Sequence, residues 1–260
     1  MPLEGFEERT FSHDGQARVV FRRGVGPGVL LMHEVPGITP QVASFARRVA
    51  DAGFTVAMPH LFGVPGKALT GTYNLKTLAW SCVTREFSVF AARRASPVTD
   101  WLRALGRDLH AECGGAGIGA IGMCLTGNFA LTLYADAGVL APVLSQPSLP
   151  VALGKTLARG LHVGPEDLAE VQRRVRDENG KVLGLRFTGD PLCPAARFQA
   201  LRDALGDGFE AIEIDSSPGN AYGIPRIAHS VLARDLVDEE GHPTRQALDR
   251  TLAFLAERLR

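Results

Sequence analysis

Cys124 stands in the run Gly119-Ala120-Ile121-Gly122-Met123-Cys124-Leu125-Thr126-Gly127, where an apolar strand stops at a cysteine between glycines and a helix-forming stretch begins. A strand-to-helix turn this sharp puts its apex residue into a strained backbone conformation and turns the side chain outward, which only neighbours without bulk tolerate. The chemistry implied is nucleophilic attack by sulfur. The first amides of the following helix face whatever the nucleophile attacks, so the N–H of Leu125 is a candidate oxyanion donor. The competing reading is a buried structural thiol.

A thiol hydrolase also needs a base, a residue that orients the base and a second oxyanion donor. Asp190, in Phe187-Thr188-Gly189-Asp190-Pro191, follows directly on an apolar run and would emerge at the carboxyl edge of a parallel sheet. Its alternative is a turn or helix-capping aspartate. His229, in Arg226-Ile227-Ala228-His229-Ser230, ends a loop rich in Gly, Pro, Ser and Asn, with a plain surface histidine as its alternative. Nucleophile, acid and histidine at 124, 190 and 229 follow the chain order of the α/β-hydrolase triad. His33 and His60 also follow strands but precede the elbow, so either would break that order; both read as pocket-lining or structural. His242 caps the last helix.

The elements that must position these residues alternate. Gly28 to His33 reads as a buried strand, and Thr39-Pro40 starts a helix with Val42, Phe45, Ala46 and Val49 on one face. Gly53 ends it before the strand Phe54 to Pro59, which completes a βαβ unit. Helices are expected over Leu75 to Arg94, Val98 to Cys113, Leu125 to Ala135, Pro165 to Asn179, Pro194 to Leu205 and Pro243 to Leu259. Strands are expected over Gly117 to Gly122, Val139 to Leu144, Lys181 to Thr188 and Phe209 to Ile214. The pattern demands a mostly parallel sheet covered by helices on both faces, in a single α/β domain over 1–260. Residues 60–97 and 145–164 read as less regular segments near the mouth of the site.

One motif misleads. Gly117-Ile118-Gly119-Ala120-Ile121-Gly122 matches the dinucleotide fingerprint Gly-x-Gly-x-x-Gly, but its glycines form the strand where the fingerprint needs them after one. Asp136 comes too early for the ribose-binding acid and sits at a helix end.

Lys plus Arg and Asp plus Glu each total 28, a formal net charge of zero, and no basic block interleaved with aromatics would track a nucleic acid. No apolar run approaches the ~18 residues of a membrane span, and the N-terminus lacks the order of a signal peptide. A soluble cytoplasmic protein is expected, acting on a small molecule without nucleic-acid or membrane partners. The four cysteines, Cys82, Cys113, Cys124 and Cys193, form no Cys-x-x-Cys pair, which disfavours zinc ribbons and redox dithiols. The chemistry proposed needs no metal or organic cofactor.

Together, Leu31-Met32-His33-Glu34-Val35-Pro36-Gly37, Met58-Pro59-His60-Leu61-Phe62-Gly63, Gly122-Met123-Cys124-Leu125-Thr126-Gly127, Thr188-Gly189-Asp190 and Ala228-His229-Ser230 resemble the successive blocks of the dienelactone hydrolase family. The resemblance spans roughly residues 25 to 260. It implies an α/β-hydrolase fold and a cysteine hydrolase of small esters or lactones, with Cys124, Asp190 and His229 as triad. Glu34 would match the family glutamate that contacts the resting thiol, and the amides of Val35 and Leu125 would form the oxyanion hole. A carboxylate beside a thiol opposes thiolate formation and would protect the cysteine until substrate arrives. Two departures stand out: Thr126 replaces a second consecutive glycine of the family elbow, and Pro59-His60-Leu61-Phe62 replaces a Pro-Asp-Leu-Tyr-like block. The family's arginines for a substrate carboxylate have candidates in Arg85, Arg93, Arg94, Arg226 and Arg234. The same machinery would also serve a general carboxylesterase or thioesterase, and the fold alone would serve a non-catalytic binding or sensing module.

Overall fold

The computed structural model describes residues 3–68, 97–136, 138–148 and 158–260. Its strands form one eight-stranded sheet. In chain order these are β1 Glu7–His13, β2 Gln16–Arg23, β3 Gly28–Met32, β4 Thr55–Pro59, β5 Ile118–Met123, β6 Val139–Ser145, β7 Val182–Phe187 and β8 Phe209–Ile214. The spatial order is β1-β2-β4-β3-β5-β6-β7-β8, antiparallel from β1 to β4 and parallel from β4 onward. Parallel strands share one carboxyl edge, so the loops after β3, β5, β6, β7 and β8 open on the same side.

Among the described residues the helices are α1 Pro40–Asp51, α2 Pro97–Cys113, α3 Gly127–Leu133, α4 Pro165–Asp177, α5 Ala195–Leu205 and α6 Pro243–Leu259. Thr39 caps α1, its Oγ1 accepting from Val42 N at 3.3 Å, and Pro40 supplies the first turn, where a missing N–H costs nothing. His242 caps α6 by accepting from Thr244 N.

Central strands are buried on both faces and alternate between two cores. Val29 and Leu31 of β3 pack with Phe45 and Val49 of α1 and with Phe254 and Leu255 of α6, whereas Leu30 and Met32 pack with Trp101 and Leu105 of α2 and with Phe129 of α3. This is the period of two expected of a strand sandwiched between helix layers.

The structure departs from the sequence reading at two places. The hairpin β1–β2 was not expected: Asp14 and Gly15 turn it with φ of 47° and 73°, and His13 faces Gln16. Two successive positive φ values suit the right-handed twist of the flanking strands. The helix expected from Leu125 to Ala135 is a short 3-10 turn, Cys124–Thr126, followed by α3. The helix expected over Leu75 to Arg94 lies outside the described residues, as do Cys82, Arg85, Arg93 and Arg94. No helix among the described residues is long and apolar enough to cross a membrane.

Candidate active site

Strand β5 ends at Met123, and Cys124 takes φ +56°, a left-handed conformation unfavourable for a residue with a side chain. The glycines around it explain how the turn closes. A Cβ on Gly122 would lie 2.2 Å from the Thr126 carbonyl oxygen, and one on Gly127 would lie 2.7 Å from Cα of Pro147. The other glycines of the apparent dinucleotide fingerprint are also used up in packing. A Cβ on Gly117 would fall 2.6 Å from Gly138 O, and one on Gly119 would fall 2.8 Å from the Leu255 side chain.

The loops after β7 and β8 bring the acid to the histidine. Asp190 is buried; its Oδ2 pairs with His229 Nδ1 at 2.7 Å, and its Oδ1 accepts from Leu192 N at 2.9 Å. The second ring nitrogen of His229, Nε2, is buried with no hydrogen-bond partner among the described residues. Burial by itself would lower the His229 pKa. The adjacent Cys124 sulfur and the Asp190 carboxylate outweigh it and hold the imidazole well above its ordinary value. The loop carrying His229 is anchored by Asp235, whose Oδ2 accepts from the amides of His229 at 2.8 Å and Ser230 at 2.9 Å.

Glu34 lies in the loop after β3, 4% exposed, and burial raises its pKa. Its Oε1 accepts from Ser230 Oγ at 2.6 Å and its Oε2 from Gln146 Nε2 at 3.0 Å. The expected contact between Glu34 and the resting thiol is therefore not made among the described residues. The Cys124 sulfur instead lies 3.1 Å from Ser148 Oγ. Gln146 has φ +36° and its Oε1 also accepts from Val231 N, so it braces Glu34 and the His229 loop together.

His33 is structural. Leu61 N donates to its Nε2 at 3.1 Å, which leaves the proton on Nδ1 to be donated to Glu34 O, also at 3.1 Å. Burial pushes this imidazole down to about 3, so it stays neutral. His60 Nε2 pairs with Gly63 O at 3.0 Å.

Thr126, the departure from the family elbow, has a buried hydroxyl that joins the two halves of the site. Its oxygen accepts from Met123 N at 2.9 Å, and its one proton is shared among Met32 O and Met123 O, both at 2.9 Å, and His33 O at 3.2 Å. The elbow that carries Leu125 is thereby tied to the strand end that leads to Val35.

Of the arginine candidates described, Arg234 is committed to a fork on Asp235, with Nε to Oδ1 at 3.0 Å and a terminal nitrogen to Oδ2 at 2.7 Å. Arg226 is exposed. Four residues not singled out in the sequence, Gln146, Ser148, Ser230 and Asp235, are brought to the site; Ser230 has a positional signal next to His229, and Gln146 and Ser148 fall in the segment 145–164 expected near its mouth.

The parallel sheet, the sharp turn after β5 and the buried acid–histidine pair at the carboxyl edge define an α/β hydrolase. The profile of the dienelactone hydrolase family matches residues 16–258, and the chain belongs to that family, whose chemistry is hydrolytic. Solved structures agree on the fold. A putative dienelactone hydrolase from Klebsiella pneumoniae superposes with TM-score 0.64 at 19% identity, covering 97% of this chain and 98% of that one. A dienelactone hydrolase-like promiscuous phosphotriesterase from metagenomic libraries gives 0.65 at 17% identity, covering 98% of each. A dienelactone hydrolase from Anabaena variabilis gives 0.53 at 15%, covering 99% of this chain and 100% of that one. Comparison with curated protein sequences finds no match.

Proposed function

We propose that the protein is a cysteine hydrolase of small esters or lactones, with Cys124 as nucleophile, His229 as base and Asp190 as the residue that orients it. The observation that carries the reading is the 2.7 Å Asp190–His229 pair, which leaves a buried Nε2, without another hydrogen-bond partner among the described residues, beside a sulfur held at a left-handed elbow.

Asp190 accepts from Nδ1 and so sets the tautomer that leaves Nε2 to exchange protons with the thiol. His229 Nε2 takes the Cys124 proton, and the thiolate adds to the carbonyl carbon. The new oxyanion is held by the N–H groups of Val35 and Leu125, whose separation the Thr126 hydroxyl keeps constant. Collapse breaks the C–O bond, and the leaving alkoxide takes the proton from the imidazolium, which leaves a thioester on Cys124. Water then gives a proton to Nε2 as its oxygen adds to the thioester carbon. The second collapse releases the carboxylic acid and returns the thiolate–imidazolium pair. A carboxylate on the substrate would be met by an arginine near the site, with Arg234 the described candidate once its fork to Asp235 opens.

A panel of lactones, carboxylic esters and thioesters, assayed on wild type and Cys124→Ala with mass spectrometry of the quenched protein, tests the reading. Turnover with a transient acyl adduct on the Cys124 peptide is expected, and turnover undiminished in Cys124→Ala would remove the nucleophile. Binding of panel compounds without turnover or adduct would favour a binding module.

A further inference from the structure

The loop after β6 reaches the nucleophile through a gap made by the elbow itself. Gly127 has no side chain where Pro147 packs, since a Cβ there would stand 2.7 Å from the Pro147 Cα. The approach is fixed from both ends. Ser148 N donates to Cys124 O at 3.0 Å, and the buried Arg197 guanidinium donates to Pro147 O at 2.8 Å. Asn128 Nδ2 adds a weaker contact to Ser148 O at 3.4 Å. Ser148 is 1% exposed, so its hydroxyl is delivered to one place, 3.1 Å from the Cys124 sulfur.

We propose that Ser148 is a further catalytic residue, a hydroxyl donor that stabilises the Cys124 thiolate in the resting enzyme. The inference rests on the reading of Cys124 as nucleophile. A neutral thiol and a hydroxyl pair in either direction, but an anionic sulfur can only accept, so the bond strengthens as the proton leaves for His229. Ser148 is buried, so its hydroxyl meets the sulfur in a setting where a hydrogen bond to an anion is stronger than in water. The hydroxyl thus divides the work with His229, which receives the proton while Ser148 solvates the charge left behind.

Other titratable groups interact with the same sulfur. His229 and Arg234 act from the loop after β8, and Cys193 and Arg197 from the segment after Asp190 and from α5. Asp190 and Asp235 stand behind His229 and Arg234 as their ion-pair partners. All of these remain in a Ser148 variant, so a comparison with wild type isolates the hydroxyl.

The test is the pH dependence of iodoacetamide labelling of Cys124, read by peptide mass, in wild type, Ser148→Ala and Ser148→Thr. Loss of the hydroxyl is expected to move the midpoint upward by about one pH unit, so that about tenfold less thiolate is present below it. The labelling rate at the alkaline plateau should not fall, and the acidic limb of kcat/KM should shift with the labelling curve. Ser148→Thr, which keeps the hydroxyl, should stay near wild type, and Ser148→Gly removes the same group should the alanine protein not fold. An unmoved midpoint in folded Ser148→Ala or Ser148→Gly overturns the proposal, as does an equal shift in Ser148→Thr. The two readings fail separately. Full turnover in Cys124→Ala ends the nucleophile assignment, whereas an inactive Cys124→Ala with an unmoved midpoint ends only the role of Ser148.

Discussion

Two buried carboxylates sit at the same sheet edge and are put to different uses. Asp190, after β7, meets the imidazole of His229 and a backbone amide. Glu34, after β3, accepts its side-chain hydrogen bonds among the described residues from the neutral donors Ser230 and Gln146, and burial raises its pKa. The difference teaches that burial alone does not assign a carboxylate its task. A partner that can become a cation makes Asp190 a support for charge on the histidine, while Glu34, whose pKa burial raises, braces the loops through Ser230 and Gln146.

The largest effect should come from breaking the first pair. Asp190→Asn and His229→Ala are each expected to cut kcat by roughly two to four powers of ten with the fold intact by circular dichroism. Because Asp190 acts through His229, the double variant should be little worse than the worse single. Singles near wild type combined with a crippled double would show that Asp190 and His229 act independently of each other.

Next in size is the hydroxyl that ties the Glu34 loop to the elbow. Thr126→Val keeps the shape and strands Met123 N–H in the core, so unfolding free energy in urea should fall by about 1–3 kcal/mol, the cost of a buried unsatisfied group. A drop in kcat larger than in 1/KM should accompany it, because the two oxyanion donors lose their shared tether, and Thr126→Ser should recover both. Equal behaviour of the valine and serine variants would mean that the methyl group, and not the hydroxyl, matters at this position.

A smaller and opposite effect is expected at Glu34. Its native pKa lies above its value in the unfolded chain, so the native state holds the proton longer. The resulting stability is fully present below the ordinary value of 4.5 and is lost as pH rises through the raised native value. Glu34→Gln can still pair with Ser230 and Gln146, and it should melt a few degrees higher than wild type near neutrality, the gain disappearing at acid pH. Turnover should fall modestly, and Cys124 should label faster near neutral pH if the carboxylate opposes the thiolate through space. A variant that melts lower at neutral pH would mean that the Glu34 carboxylate is stabilised in its charged form.

The smallest perturbation concerns the thiols. Burial pushes the Cys193 thiol up, and Cys113 sits away from the elbow at the end of α2, so limiting iodoacetamide should modify Cys124 ahead of either. Peptide mapping after partial labelling reads the order directly.

Much of this was legible along the chain. The apolar runs of β3, β5 and β7, the cap at Thr39 and the stop at Gly53 are local signals, and each produced the element expected. The hairpin β1–β2 has a local signal in Asp14-Gly15, but its strands carry mostly polar side chains at the sheet margin, so no continuous apolar run marks them. The helix Leu125 to Ala135 came out as a tighter turn plus a shorter helix because the strained elbow residue does not take helical angles.

The sequence by itself determined the order of strands and helices, the glycines that allow a turn at Cys124, and the chain order 124, 190, 229. These depend on periodicity and backbone freedom over a few residues. Only the tertiary structure decided which groups meet: that Glu34 faces Ser230 and Gln146 and not the thiol, that Thr126 links the two loops, and that Ser148 lies on the sulfur. Those contacts join residues 24 to 196 positions apart, and their distances follow from how two helix layers and one shared sheet edge pack together. No local pattern carries that information, since a hydroxyl 24 residues from a cysteine has no register with it until the parallel strands β5 and β6 are paired.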